Sequence, residues 1–303
     1  MITSFVDLCT TVYVVVDDLY RHHLAPYDHR PGPRAVCSES EILTLSLVSE
    51  LIGMDEEVVF LAYVRRNHPT LFPHLPERSR YNRRRRALCA VANALRCAIQ
   101  RRVWADLPAD ERDLCVIDSL PVPVVGFAHA CGRHRWRGVA AYGYNATKKQ
   151  TIDGFKLHLL ATHSGLILDF ALVPANVADG CLTAQLLAAQ SHLTVLGDKA
   201  YLNAPLQEHL RQEQAIALLA PSRANARVPL PAPLLRLMAH FRQSIETLNS
   251  QLAEHLHIER NRAKSPSGLY ARIQAKLCAH TLGLFLNQHA GQPLLALKSL
   301  ALI

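Results

Sequence analysis

The sequence has no CxxC pair among its eight cysteines, no lysine before Lys148, and no apolar run approaching the length of a membrane span. Each absence narrows the reading. Crossing a bilayer takes roughly 20 consecutive apolar residues, so no helical membrane anchor is expected and no membrane partner is implied. The cysteines, at positions 9, 37, 89, 97, 115, 131, 181 and 278, lie largely in apolar stretches. That is where reduced core cysteines of an intracellular protein sit. The N-terminus opens with Asp7 and no cationic segment, which speaks against a signal peptide and for a cytoplasmic location. Before position 148 every cation other than histidine is arginine, the better bidentate ligand for phosphate. A coding sequence rich in G and C would produce the same bias.

What remains is a chain of 303 residues, 50% hydrophobic, with a formal net charge of +8 and a sequence pI near 9.2. This length and apolar content suffice for a substantial core, in one large domain or two modest ones. The positive balance favours a polyanionic partner, because basic surface attracts phosphates and displaces their counterions.

Up to about Leu107 the pattern is helical. Ser38 and Glu41 have the spacing of a capping box ahead of Ile42, Leu43, Leu45, Leu47, Val48 and Leu51. Gly53 ends that helix. A second helix is predicted from Asp55 to Arg66, with acids in its first turn and arginines in its last. A third runs from near Glu77 to about Trp104, and between Arg78 and Arg102 it holds nine arginines and no acid. Unbalanced like charge destabilises a helix unless something neutralises it. Phosphate is the expected neutraliser, so Arg83, Arg84, Arg85 and Arg86 are candidate DNA contacts in a helix-turn-helix-like module spanning 1–107.

After a linker at Pro108 to Arg112 the pattern changes to strands. The first is predicted at Leu114 to Asp118, a hairpin pair at Gly154 to Thr162 and Leu166 to Val173, a fourth at Leu193 to Asp198 and a fifth at Ala215 to Leu219. Helices are predicted at Asp179 to Gln190, at Ala204 to Gln212, and along the stripe Phe241, Ile245, Leu248, Leu252 and Leu256. This order is that of an α/β, ribonuclease-H-like fold: a mixed five-stranded sheet with flanking helices, over residues 108–291, followed by a short tail at 292–303. In that order Asp118 and Asp198 end neighbouring central strands, and Glu246 lies on the helix crossing them, in register with Arg242, Asn249 and Ala253. Gathered carboxylates repel one another and are costly to desolvate, so their convergence makes sense around hard divalent cations such as Mg²⁺. Two such ions can clamp the attacking and leaving oxygens of a phosphodiester displacement.

Four blocks then carry a resemblance: Val-Ile-Asp118-Ser-Leu-Pro-Val-Pro; Ala-Ala-Tyr-Gly-Tyr144 continuing to Lys-Lys-Gln-Thr-Ile-Asp-Gly-Phe-Lys-Leu-His158; Leu-Gly-Asp198-Lys-Ala-Tyr; and Arg242-Gln-Ser-Ile-Glu246-Thr. Over nearly the whole chain the sequence resembles the DDE transposases of bacterial insertion sequences, most closely the insertion-sequence 982 family. The resemblance implies Asp118, Asp198 and Glu246 as catalytic residues and metal ligands, with two Mg²⁺ ions for which Mn²⁺ can substitute. It implies cleavage at transposon ends and joining of 3′-hydroxyl ends to target DNA. The partner is double-stranded DNA, held by a homodimer or larger assembly. Lys156, Lys199 and Arg242 are candidate phosphate contacts beside the site. Where the family usually has glycine, this chain has Ala200, a departure that bears on a turn next to Asp198.

Other readings compete. A nuclease such as a junction resolvase would use the same metal site without strand transfer, and an inactivated transposase or a DNA-binding regulator would rest on the arginine helix alone. His129, Cys131 and His134 have the residue types of a zinc site, but three neighbouring arginines oppose a cation. A basic, DNA-facing loop around Trp136 is the preferred reading. Asp153, Asp169 and Asp179 are further carboxylates, each open to a turn or capping role, and His158 is a candidate for the active face or the core. A helix from about Gly268 to Gln288 is expected to pack on the catalytic domain or join an assembly contact.

Overall fold

A computed structural model describes residues 2–24, 35–125, 136–145, 149–201, 203–221, 232–260 and 262–300. In chain order the helices are α1 (Phe5–Leu19), α2 (Glu39–Leu51), α3 (Glu57–Asn67), α4 (Arg78–Ala87), α5 (Cys89–Asp106), α6 (Ala109–Arg112), α7 (Thr183–Leu187), α8 (Ala204–Gln214), α9 (Ala232–Ser250) and α10 (Pro266–His289). The strands are β1 (Leu114–Val125), β2 (Ala141–Asn145), β3 (Gln150–Thr162), β4 (Ile167–Pro174), β5 (Thr194–Leu196) and β6 (Ala217–Leu219). The chain divides into two units. One comprises Met1–Val103, Glu254–Ile258 and Ala263–Ile303, the other Trp104–Ala253 and Glu259–Arg262.

The helical unit is organised around α2. Its capping box forms as the sequence predicts: the Glu41 amide donates to Ser38 Oγ at 3.1 Å and the Ser38 amide to Glu41 Oε2 at 2.6 Å. Every residue of α2 from Ser40 to Leu51 except Glu41 is buried, beneath α1, α4 and α10. Gly53, at φ +72°, takes the left-handed conformation that closes the helix. The third predicted helix is two, because Leu88 (φ −83°, ψ 7°) leaves the helical region and separates α4 from α5.

At the centre of this unit Glu50 is shared by two cations, Arg85 Nη2 at 2.6 Å and Lys276 Nζ at 2.6 Å. Burial opposes the charge of Glu50, but Lys276 and Arg85 outweigh it and hold the carboxyl below its ordinary value. Glu57, also buried, takes Arg85 at 3.4 Å and both amide contacts of Asn82 at 2.8 and 3.0 Å. Lys276 belongs to α10, so the last long helix is keyed to the N-terminal helices by buried charge. The sequence reading divides the chain at 107 and 291; in the structure α10 groups with the helical unit instead of the sheet unit.

In the other unit, six strands form a mixed sheet among the described residues, where five were expected. β5 runs parallel to β1 and β6 parallel to β5, while β3 lies antiparallel on the other side of β1. The free edge of β3 is shared, with β2 along Gln150–Gly154 and β4 along Phe155–Ala161. β1 continues well past Asp118, through Pro121 and Pro123, to a register shift before Val125. β5 covers β1 only up to Val116, and an unpaired stretch of strand edge is where proline is tolerated. Gly154 of β3 faces that end of β1, where an added Cβ would collide with the Val122 carbonyl.

Candidate active site

The sheet builds the site. β5 pairs with β1 through Leu114↔Thr194, Cys115↔Val195 and Val116↔Leu196, so Asp118 and Asp198 each lie two residues past the last paired position. One pocket is lined by Asp118, Asp198 and Arg242, with Ile117, Met238 and Ile245 among its apolar walls. Gly197 allows the chain to turn here, since a Cβ would lie 3.1 Å from Ile117 Cγ2 and 3.0 Å from Tyr201 Cδ2. Asp198 then caps the short turn Lys199–Tyr201, accepting the Ala200 amide on Oδ1 at 2.8 Å. Ala200 is not among the residues with positive φ, so alanine in place of the family's glycine costs no backbone strain.

Burial pushes the Asp118 carboxyl up to about 6, and the nearby Asp198 charge adds to the rise. The Ser119 amide, Arg242 and the Asn249 side chain pull the other way. This is the signature of two carboxylates brought together in a desolvated place. Asn249, on α9 one turn beyond Glu246, donates from Nδ2 to Asp118 Oδ2 at 2.9 Å. The buried Tyr201 phenol is raised by desolvation and by the charges of Asp118, Asp179 and Asp198.

Glu246 does not join the two aspartates. Its side chain is 63% exposed and lies 3.4 Å from Arg242 Nε. Among the described residues no group of three or more His, Cys, Asp or Glu side chains is arranged to hold a metal ion, so the expected three-way convergence is absent. The donors that do meet, two hard carboxylates in a half-closed pocket, fit a divalent cation such as Mg²⁺.

Alternation along β1 puts Ser119 on the opposite face from Asp118. There Asp179 accepts from Lys156 Nζ at 2.9 Å and Ser119 Oγ at 3.2 Å. His158 Nε2 lies 3.9 Å from the same carboxylate, and burial lowers the imidazole's affinity for a proton. Asp179 is therefore engaged by Lys156. Asp169 accepts the adjacent Phe170 amide at 2.8 Å, a local role, and Asp153 is fully buried.

The expected DNA contacts divide by environment. Arg83, Arg86, Lys199 and Arg242 are exposed. Arg85 is buried on Glu50 and Glu57, and Arg84 is bound to Glu39 Oε1 at 2.7 Å and the Cys37 carbonyl at 2.6 Å. Protein carboxylates thus neutralise the middle of the arginine run, a correction to the expectation that phosphates do so throughout. Trp136 is 4% exposed and meets Phe155 edge-on at a centroid distance of 6.0 Å, which corrects its assignment to a DNA-facing loop. His129, Cys131, Arg133, His134, Arg135 and Lys148 lie outside the described residues. Asn249 and Tyr201 are the site neighbours to which the sequence attached no role. Asn249's place on the stripe of Arg242 and Glu246 was the available signal.

A mixed sheet that brings two carboxylates into one pocket where adjacent central strands end is an arrangement that fits metal-assisted chemistry. The transposase DDE domain family model matches residues 109–266, just over half of the chain, and the chain belongs to that family. No curated protein and no solved structure matches it. No helix among the described residues is long and apolar enough to cross a membrane.

Proposed function

We propose that this protein is an insertion-sequence transposase, of the insertion-sequence 982 type, that binds transposon ends, cleaves DNA and joins the 3′-hydroxyl ends to target DNA. The observation that carries the reading is the Asp118 and Asp198 pocket within a matched DDE domain. The six-stranded order fits a ribonuclease-H-like fold, with one extra strand, β2, beside β3.

Asp118 and Asp198 would hold the divalent cations, two Mg²⁺ ions in the proposed mechanism, with Mn²⁺ as a substitute. Cations bound there would supply an activated water nucleophile and offset charge on the phosphoryl oxygens. By holding the cations in the pocket, Asp118 and Asp198 would position the reacting groups. Glu246 would complete the ligand set by leaving Arg242, which frees that guanidinium for a strand phosphate. Lys199, exposed beside Asp198, is placed in this reading to contact the same strand. Exposed Arg83 and Arg86 of the helical unit supply sequence-independent affinity, since phosphate contacts position DNA without reading it.

Two DNA ends and one acidic set per chain imply at least a dimer on DNA, which the mass of end-bound complexes would test. The deciding experiment for the activity supplies DNA from the flanks of the gene together with a circular target and Mg²⁺. Joined end–target molecules are expected. Cleavage without joining would instead identify a nuclease, and end binding without cleavage an inactivated transposase.

A further inference from the structure

We infer that Asn249 belongs to the cation site, orienting Asp118 through its amide nitrogen and offering its carbonyl oxygen as a third oxygen donor. The inference rests on the proposed reading of Asp118 and Asp198 as metal ligands. Asn249 Nδ2 donates to Asp118 Oδ2 at 2.9 Å, joining positions 131 residues apart. An ionised carboxylate only accepts, so this contact fixes which end of the amide faces Asp118. The other end, Oδ1, is buried with no hydrogen-bond partner among the described residues.

A buried carbonyl left unpaired gives up its hydration with nothing in return, and native structures rarely leave one without a purpose. Amide carbonyl oxygens are also hard donors of the kind Mg²⁺, Mn²⁺ and Ca²⁺ accept beside carboxylates. Here the unpaired oxygen sits on the same amide that already holds a proposed ligand. Its helix supplies Glu246 one turn earlier, yet that side chain is directed to Arg242. Of the two residues, Asn249 is the one already at the carboxylate pair. A third carboxylate against Asp118 and Asp198 would be repelled before a cation arrives, whereas a neutral amide can keep Asp118 in place in both states.

The test is Mn²⁺ binding to the full chain without DNA, by titration calorimetry, for wild type, Asp198→Asn, Asn249→Leu and Asn249→Asp. Asn249→Leu should weaken binding about 10–100-fold, the usual cost of losing a group that orients or supplements a metal ligand. Asn249→Asp keeps an oxygen donor and should bind within ten-fold of wild type or tighter. A purely structural hydrogen bond predicts the reverse order, because the aspartate loses the donor and repels Asp118. Equal binding by Asn249→Leu and wild type, with Asp198→Asn impaired, overturns the role of Asn249 while leaving the two-aspartate reading intact. Unimpaired binding by Asp198→Asn overturns both. If Asn249→Leu fails to fold, a loss beyond ten-fold in Asn249→Asp is the overturning result.

Discussion

Replacing Asp118 by asparagine should make the cation-free protein more stable at pH 8. In the folded state this carboxyl is pushed from 3.8 to about 6, first by burial and then by the charge of Asp198. The folded chain therefore holds the Asp118 proton more tightly than the unfolded chain does. The stability this confers is fully present below pH 3.8 and is lost as pH rises through about 6. Taken as a difference between protonation states, the rise corresponds to an upper limit of about 3 kcal/mol. Asparagine has nearly the same volume and carries no charge, and its carbonyl can accept the Asn249 N–H that Asp118 accepts at 2.9 Å. Urea unfolding followed by tryptophan fluorescence is a suitable assay, because Trp104 and Trp136, the two tryptophans of the chain, both belong to the sheet unit. With a chelator present, the variant should gain up to about 3 kcal/mol at pH 8 and nothing at pH 3. Excess Mg²⁺ should narrow the gap by stabilising the wild type alone. A variant that is less stable than wild type at pH 8, or equally stabilised at both pH values, would refute the electrostatic account.

The buried cluster of the helical unit gives a prediction of opposite sign: Glu50→Ala, which removes the nearest carboxylate from both Arg85 and Lys276, should cost about 3–5 kcal/mol in chemical denaturation followed by far-ultraviolet circular dichroism. Arg83→Gln with Arg86→Gln should flatten the salt dependence of DNA affinity by about 0.9 logarithmic slope units per lost phosphate contact, measured by fluorescence anisotropy across a salt series. Arg85→Gln should instead lower stability, since its guanidinium faces Glu50 and Glu57. Trp136→Ala should destabilise the sheet unit by about 3–5 kcal/mol, and a change in DNA affinity without that loss would return Trp136 to the surface.

The two aspartates were legible because each closes a short β-branched run, and the order of elements placed those runs side by side. The rest of β1 was hidden by Pro121 and Pro123, which ordinarily argue against a strand and are tolerated where β5 no longer covers the edge. β2 was missed because Gly143 interrupts its pattern; a Cβ there would lie 2.6 Å from the Ala175 carbonyl oxygen. The apolar residues of α10 announced burial but not a partner. What chose the partner is Lys276, whose contact with Glu50 spans 226 positions. The same distance effect explains the arginine run, for the acids at 39, 50 and 57 that engage it are invisible to local spacing. Glu246 shows the limit of helical periodicity, which put it on the correct stripe without fixing where its side chain reaches.

Whether Asp118 and Asp198 hold the cations for DNA cleavage is decided by cutting of end-bearing DNA with wild type, Asp118→Asn and Asp198→Asn. Wild type should cut in Mg²⁺ and stop when a chelator is added. Both variants should remain folded and bind the same DNA, yet cut at least about 100-fold more slowly, the scale on which removing one group that stabilises transition-state charge is felt. Cutting at the wild-type rate by either variant, or cutting by wild type that survives the chelator, would contradict the account.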